Sequence, residues 1–213
     1  MNQTPPTFAK HSADTPTFWD LRYEAAFTPW SQANLPQSWL SFLNTHTFAQ
    51  APHDTRVLVP GCGESFEVAD LVQRGFNTVA IDFSHAAIAA AKQSLGDIAN
   101  APNCQLKQAD FFAAELTANP FDLVYERAFL CSLPPDRRQE YATQMAKVIK
   151  PNGLLVGFFC YDPAPKGPPF GLEADGLKAL IGGRFQRIAR NTPTDSIAVF
   201  AGREQFEVWQ RLE

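Results

Sequence analysis

The chain has 213 residues, 45% of them hydrophobic, and a net charge of −4. That length fits one domain, or one domain with an N-terminal extension, and 18 Phe and 4 Trp can furnish a thick core and an aromatic-lined pocket. There is no basic run of five or more and no stretch approaching 18 consecutive apolar residues. A nucleic-acid groove, an anionic membrane surface and a membrane span are therefore not expected.

The N-terminus, MNQTPPTFAKHSADTPTFWD, has neither a basic start nor an apolar stretch, so it does not read as a secretory signal. Cys62, Cys104, Cys131 and Cys160 are scattered without a Cys-x-x-Cys pair, as reduced thiols of a cytoplasmic protein are. The four histidines (His11, His46, His53, His85) lack metal-ligand spacing, so no metal site is expected.

Residues 1–17 are polar and proline-rich with no period. FWDLRYEAAFTPW (18–30) follows as an aromatic cluster, and residues 36–49 read as a helix with Trp39, Leu40, Leu43 and Thr47 on one face. A repeating order then begins. RVLVP (56–60) reads as a strand, and SFEVADLVQRG (65–75) as a helix with Ser65 as N-cap and Gly75 as stop. NTVAID (77–82) is a second strand, SHAAIAAAKQSLG (84–96) a helix capped by Ser84, and CQLKQAD (104–110) a third strand. FDLVYE (121–126) is a fourth strand, PDRRQEYATQMAKVIKPNG (135–153) a helix, LLVGFFCY (154–161) a fifth strand, and EADGLKALIG one more helix. RFQRIAR and SIAVFAG close the chain as two late strands. Strands alternating with helices of 10–15 residues imply an α/β fold: a mostly parallel sheet covered on both faces, with an antiparallel hairpin at its C-terminal edge.

In such a sheet, ligands bind beyond the carboxyl ends of the strands. The Gly61-Cys62-Gly63 turn after the first strand lies there, its glycines allowing a tight bend and the next helix offering free amides to a negative group. A dinucleotide fingerprint would place a third glycine where Phe66 stands, which disfavours a nicotinamide oxidoreductase. Asp82 ends the second strand, 21 residues after Gly61, where a carboxylate can accept both hydroxyls of a ribose; an ordinary acid before a helix is the plainer alternative. Asp110, with Phe111 and Phe112, follows the third strand, where an acid can meet an adenine amine and a ring can flank the base, or where both serve only a turn and the core. Three such features at successive strand ends describe an adenosine site without a pyrophosphate, which S-adenosylmethionine fits.

The chain is similar to class I methyltransferases, and TPW (28–30), LVPGCGES (58–65), DFF (110–112), ERAFLCSLPPDRRQEYA (126–142) and YDPAPKGPPF (161–170) resemble the thiopurine S-methyltransferase family, which includes plant thiol and halide methyltransferases. The resemblance runs from about residue 18 to the C-terminus. It implies a Rossmann-like fold, S-adenosylmethionine as cofactor, and a small soft acceptor: a thiol, a hydrosulfide or a halide. It also implies that Trp19, Tyr23 and Trp30 close over the cofactor, Gly61 meets its methionine tail, Asp82 its ribose, and Asp110 with Phe111 its adenine. Arg127 would bind the cofactor carboxylate or contact the acceptor, or else merely pair with Glu126. Glu126-Arg127 stands where the family has Asp-Arg or Asp-Tyr, Tyr23 where it usually has tryptophan, and Ala26 where it often has glycine.

Residues 1–33 are thus expected to form an N-terminal extension and cofactor lid, and residues 34–213 the methyltransferase domain. A monomer acting on a small molecule is expected. A cofactor-binding protein without catalysis is the remaining alternative. The GPPF loop (167–170) is expected as a pocket wall, and Cys62 and Cys131 as packing residues.

Overall fold

The computed structural model describes residues 6–164 and 166–213; the first five residues of the expected N-terminal extension lie outside these. Thirteen elements succeed one another: α1 (Pro16–Glu24), α2 (Gln37–Thr45), β1 (Arg56–Pro60), α3 (Phe66–Gln73), β2 (Asn77–Asp82), α4 (His85–Leu95), β3 (Cys104–Gln108), β4 (Phe121–Arg127), α5 (Arg138–Val148), β5 (Ile149–Cys160), α6 (Gly176–Ile181), β6 (Phe185–Asn191) and β7 (Glu204–Arg211). The seven strands form one sheet in the order β3-β2-β1-β4-β5-β7-β6. The first five run parallel, and β7 enters antiparallel between β5 and β6.

Alternation along the strands sends successive side chains to opposite faces. Val57, Val59, Tyr125, Val156 and Phe158 pack beneath α2, α3 and α4 with Trp39, Leu71 and Ile88. Leu58, Val124, Leu155 and Phe159 pack beneath α5 and α6 with Tyr141, Met145 and Leu177. The connections turn where the residues direct. Ser84 accepts the Ala87 N–H and caps α4, Gly96 ends it at φ +53°, and Gly75 follows α3 at φ +89°.

Four expectations are corrected. Helix α5 ends at Val148, and residues 149–153 already belong to a twelve-residue β5 whose register against β4 shifts between Phe121 and Leu123. Pro151 and Gly153 therefore sit at a strand irregularity rather than at a helix stop; the residue before a proline is disfavoured in the α region in either case. The SIAVFAG segment is not a strand. Its backbone closes turns, Phe200 N–H to Ile197 O and Arg203 N–H to Phe200 O, and the last strand is EQFEVWQR. Ser65 does not cap α3: it stands in the left-handed region at φ +66°, its hydroxyl reaching back to the carbonyls of Cys62 and Gly63. Helix α2 buries Trp39, Phe42 and Leu43 and stops at Thr45, so Thr47 is not on its face.

Candidate active site

The strand order reverses between β1 and β4, and the carboxyl ends of β1, β2 and β4 open there onto a cavity of about 440 Å³. All eight residues singled out from the sequence line it: Trp19, Tyr23, Trp30, Gly61, Asp82, Asp110, Phe111 and Arg127. Pro168 and Pro169 of the GPPF loop line it too.

The glycine turn is tighter than a ligand alone would require. Gly61 and Gly63 have φ of +57° and +50°. A Cβ on Gly61 would lie 2.6 Å from the Phe129 ring, and one on Gly63 would lie 2.6 Å from the Tyr23 hydroxyl. The glycines thus admit an aromatic ring on each side of the turn, in the backbone region that L side chains rarely adopt. Because Ser65 does not cap α3, the leading amides of that helix have no side-chain acceptor among the described residues.

Asp82 is buried at the end of β2 and held by backbone. Its Oδ1 accepts the Ser84 N–H at 2.9 Å and its Oδ2 the Gly63 N–H at 3.2 Å. Burial raises its pKa to about 6, against the lowering pull of those two N–H groups and with a smaller push from the charge on Asp20. Asp110 is exposed; its Oδ1 accepts the Phe112 N–H at 3.0 Å, and Phe111 beside it packs its ring against Phe129 at 5.1 Å.

The aromatic segment forms a layer at the cavity. Trp19 meets Trp30 edge-on at 5.4 Å, Tyr23 meets Trp30 at 6.0 Å, and the Trp30 Nε1–H donates to the Tyr23 hydroxyl at 3.4 Å. Burial, followed by the charge on Asp82, holds the Tyr23 hydroxyl far above its ordinary pKa, and the Cys62 thiol is pushed up for the same two reasons.

Arg127 and Glu126, neighbours in a strand, point to opposite faces, so the alternative in which they merely pair with each other does not hold. Glu126 is buried, accepting the Leu130 N–H at 2.8 Å and the Tyr141 hydroxyl at 3.3 Å. Burial raises its pKa to about 8. Arg127 instead faces Glu67 of α3 at 3.6 Å and lies over the Phe158 ring at 5.1 Å. Its side chain is only 9% exposed, and its Nε and Nη2 are buried without a hydrogen-bond partner among the described residues.

Cavity residues not singled out from the sequence include Glu67, Phe129, the Val199-Phe200 turn, and Glu64, which accepts the Ser31 hydroxyl. None carries a local signal, because each gains its meaning from a residue on a distant element. The cavity sets four carboxylates (Glu64, Glu67, Asp82, Asp110) against two guanidinium groups (Arg22, Arg127). That balance suits a ligand with net positive charge and one anionic end. S-adenosylmethionine, with a sulfonium, an ammonium and a carboxylate, is such a ligand.

Known proteins share this architecture. The family model for thiopurine S-methyltransferase matches residues 14–211. A probable thiol methyltransferase 2 of Arabidopsis thaliana is 27% identical over 195 residues, which cover 91% of this chain and 84% of that protein. A thiopurine S-methyltransferase of Xanthobacter autotrophicus is 30% identical over 192 residues, covering 83% of this chain and 88% of that protein. Among solved structures, magnesium protoporphyrin IX methyltransferase from Synechocystis PCC 6803 with bound SAM superposes with a TM-score of 0.69 over 96% of this chain and 100% of that one. At 14% identity, that likeness speaks for the fold alone.

Proposed function

The chain belongs to the thiopurine S-methyltransferase family, and from that premise we propose that this S-adenosylmethionine-dependent methyltransferase acts on a small soft nucleophile: a thiol, a hydrosulfide or a halide. The observation that carries the acceptor class is Arg127. A buried guanidinium whose Nε and Nη2 have no hydrogen-bond partner among the described residues is costly unless an anion completes it. The cavity walls near the GPPF loop and the last turn, Cys131, Pro168, Pro169, Val199 and Phe200, are apolar or only weakly polar. An anion of low hydration cost, such as a thiolate or iodide, fits there better than a strongly hydrated one. The relatives named as thiol and thiopurine methyltransferases point the same way.

When bound, the cofactor supplies an electrophilic methyl group on a sulfonium. The protein's part is binding, alignment and exclusion of water. In this reading Asp82 accepts the ribose hydroxyls, Asp110 and Phe111 take the adenine, and the glycine turn with the start of α3 takes the methionine tail. Trp19, Tyr23 and Trp30 cover the site, and Arg127 orients the acceptor. No histidine or lysine lines the cavity among the described residues, and the Cys62 thiol and Tyr23 hydroxyl are held protonated by burial. An acceptor that arrives as an anion needs no proton removed. The cavity, near the low end of the roughly 300–1,000 Å³ of small-molecule sites, leaves little room beyond the cofactor and a small acceptor.

The acceptor site can be tested without turnover. Iodide, thiocyanate and a small thiol are titrated calorimetrically into the protein saturated with S-adenosylhomocysteine. Saturable binding that Arg127→Met removes is expected. Binding of a catechol or an amine, with none of the three bound, would count against this acceptor class.

A further inference from the structure

Helix α1 carries Trp19 and Tyr23 to the cavity, yet its own grip on the core is slight: of its nine residues only Phe18 is buried. Its hold on α4 is polar. The Asp20 Oδ1 accepts the Ser84 hydroxyl at 2.6 Å and the Ala86 N–H at 3.1 Å, so the carboxylate sits on the N-terminus of α4, where the helix dipole favours a negative charge. Ser84 is occupied on every side. Its Oγ accepts the Ala87 N–H while donating to Asp20, and its backbone N–H donates to the Oδ1 of Asp82. One short chain of hydrogen bonds therefore runs from the aromatic segment through Ser84 to the buried carboxylate of β2. At the far end of the same segment, the Ser31 hydroxyl donates to Glu64 of the glycine turn. The segment is thus fastened at both flanks of the cavity, to the glycine turn on one side and to the turn after β2 on the other.

We propose that Asp20 is a positioning residue for Asp82, and that its hydrogen bonds to Ser84 and Ala86 link the seating of the aromatic segment to cofactor binding. The inference rests on the reading of Asp82 as the ribose acceptor. Without the Asp20 carboxylate, the Ser84 hydroxyl and the Ala86 N–H lose their acceptor, and the tie from helix α1 to the Ser84 turn is gone. Helix α1 then keeps a single buried side chain to hold two aromatic rings over the site. Ordering the segment must at that point be met from the binding energy of the cofactor, which weakens its affinity.

The test uses the full-length protein and S-adenosylhomocysteine, read by calorimetry and by hydrogen exchange. In the parent protein the ligand should protect residues 10–30. Asp20→Leu should raise the dissociation constant at least tenfold and abolish that protection, while the melting temperature of the unliganded protein moves by only a few degrees. Asp20→Asn keeps an oxygen acceptor and should stay within about threefold of the parent, a difference from the similarly sized leucine that a purely steric role would not give. If the leucine variant does not fold, Asp20→Ser, too short to reach α4, carries the same test. Parent-like affinity and protection in Asp20→Leu or Asp20→Ser would overturn the proposal. So would Asp20→Asn being as impaired as the leucine variant, or equal protection of residues 10–30 with and without ligand. An Asp82→Asn variant with unchanged affinity would instead remove the ribose reading on which the proposal rests.

Discussion

Replacing Asp82 with asparagine separates what this carboxylate does for the cofactor from what it costs the fold. Burial lifts its pKa from 3.8 to about 6 in the free protein, even though Ser84 and Gly63 donate to it. The folded value lies above the unfolded one, so the stability this group confers is full below pH 3.8 and lost as the pH rises through 6. At neutral pH the loss is about 3 kcal/mol, at about 1.4 kcal/mol per pKa unit. Asparagine removes the charge and keeps an acceptor for Ser84, but leaves the Gly63 N–H unpaired at about 1–3 kcal/mol. These effects nearly cancel at pH 7, so the melting temperature should stay within a few degrees of the parent there and fall clearly below it at pH 4. Cofactor binding should not be spared. Charge-assisted bonds to the ribose are worth about 1.5–3 kcal/mol, or a roughly 10- to 150-fold rise in dissociation constant. In the parent, ribose donors favour the ionised carboxylate, so affinity should decline as the pH falls through 6, and the variant should lack that decline. Calorimetry from pH 5 to 8 reads both. A folded variant with parental affinity at pH 7.5 would refute the assignment of Asp82 to the ribose.

Three further outcomes are expected. Arg127→Met should lower kcat/KM at least tenfold for anionic acceptors while leaving the S-adenosylhomocysteine constant unchanged; a uniform rise in that constant would move Arg127 to the methionine tail, and unchanged kinetics would leave it as a partner of Glu67. Glu126→Gln should stabilise the fold, more at pH 8 than at pH 5, because burial raises the carboxyl from 4.5 to about 8 and its ionisation opposes folding as the pH rises through that window. The gain should reach several kcal/mol at about 1.4 kcal/mol per unit, and urea melts showing an equal or shrinking gain at pH 8 would contradict it. Gly63→Ala adds left-handed strain of about 1–2 kcal/mol and drives a methyl into the Tyr23 hydroxyl, so it should weaken S-adenosylhomocysteine binding at least tenfold; parental affinity would show that the ring moves freely.

The crossover units were legible because most of their strands are short apolar runs closed by a cap or a glycine, with Ser84 and Gly96 behaving as their residue types dictate. The last strand was not, because a charge stands where the alternation calls for an apolar residue. Glu207 is fully buried in β7, held by the Tyr161 hydroxyl at 2.6 Å and the Trp209 Nε1–H at 2.7 Å, with Arg190 at 3.3 Å. Read alone, EQFEVWQR looks half solvated, and the more apolar SIAVFAG displaced it. Pro151 and Gly153 misled in the opposite sense, since helix-stop residues also serve a strand irregularity. In the site, residues placed by chain order alone, Gly61, Asp82 and Asp110 at strand ends, were readable. Pairings between elements distant in sequence were not: Arg127 with Glu67, Asp20 with Ser84, and Ser31 with Glu64. Ala26, standing where the family often has glycine, has φ +49°, which explains why a glycine suits that position.

The most direct test of the central claim is a single competition. Purified protein is incubated with S-adenosylmethionine labelled in its methyl group and an equimolar mixture of a small thiol, hydrosulfide, iodide, thiocyanate, a catechol and a primary amine, and every methylated product is quantified by mass spectrometry. Label is expected on the sulfur and halide acceptors, and loss of that label from the anionic ones in Arg127→Met. Label on the catechol or the amine, with every thiol and halide unmodified, would contradict it.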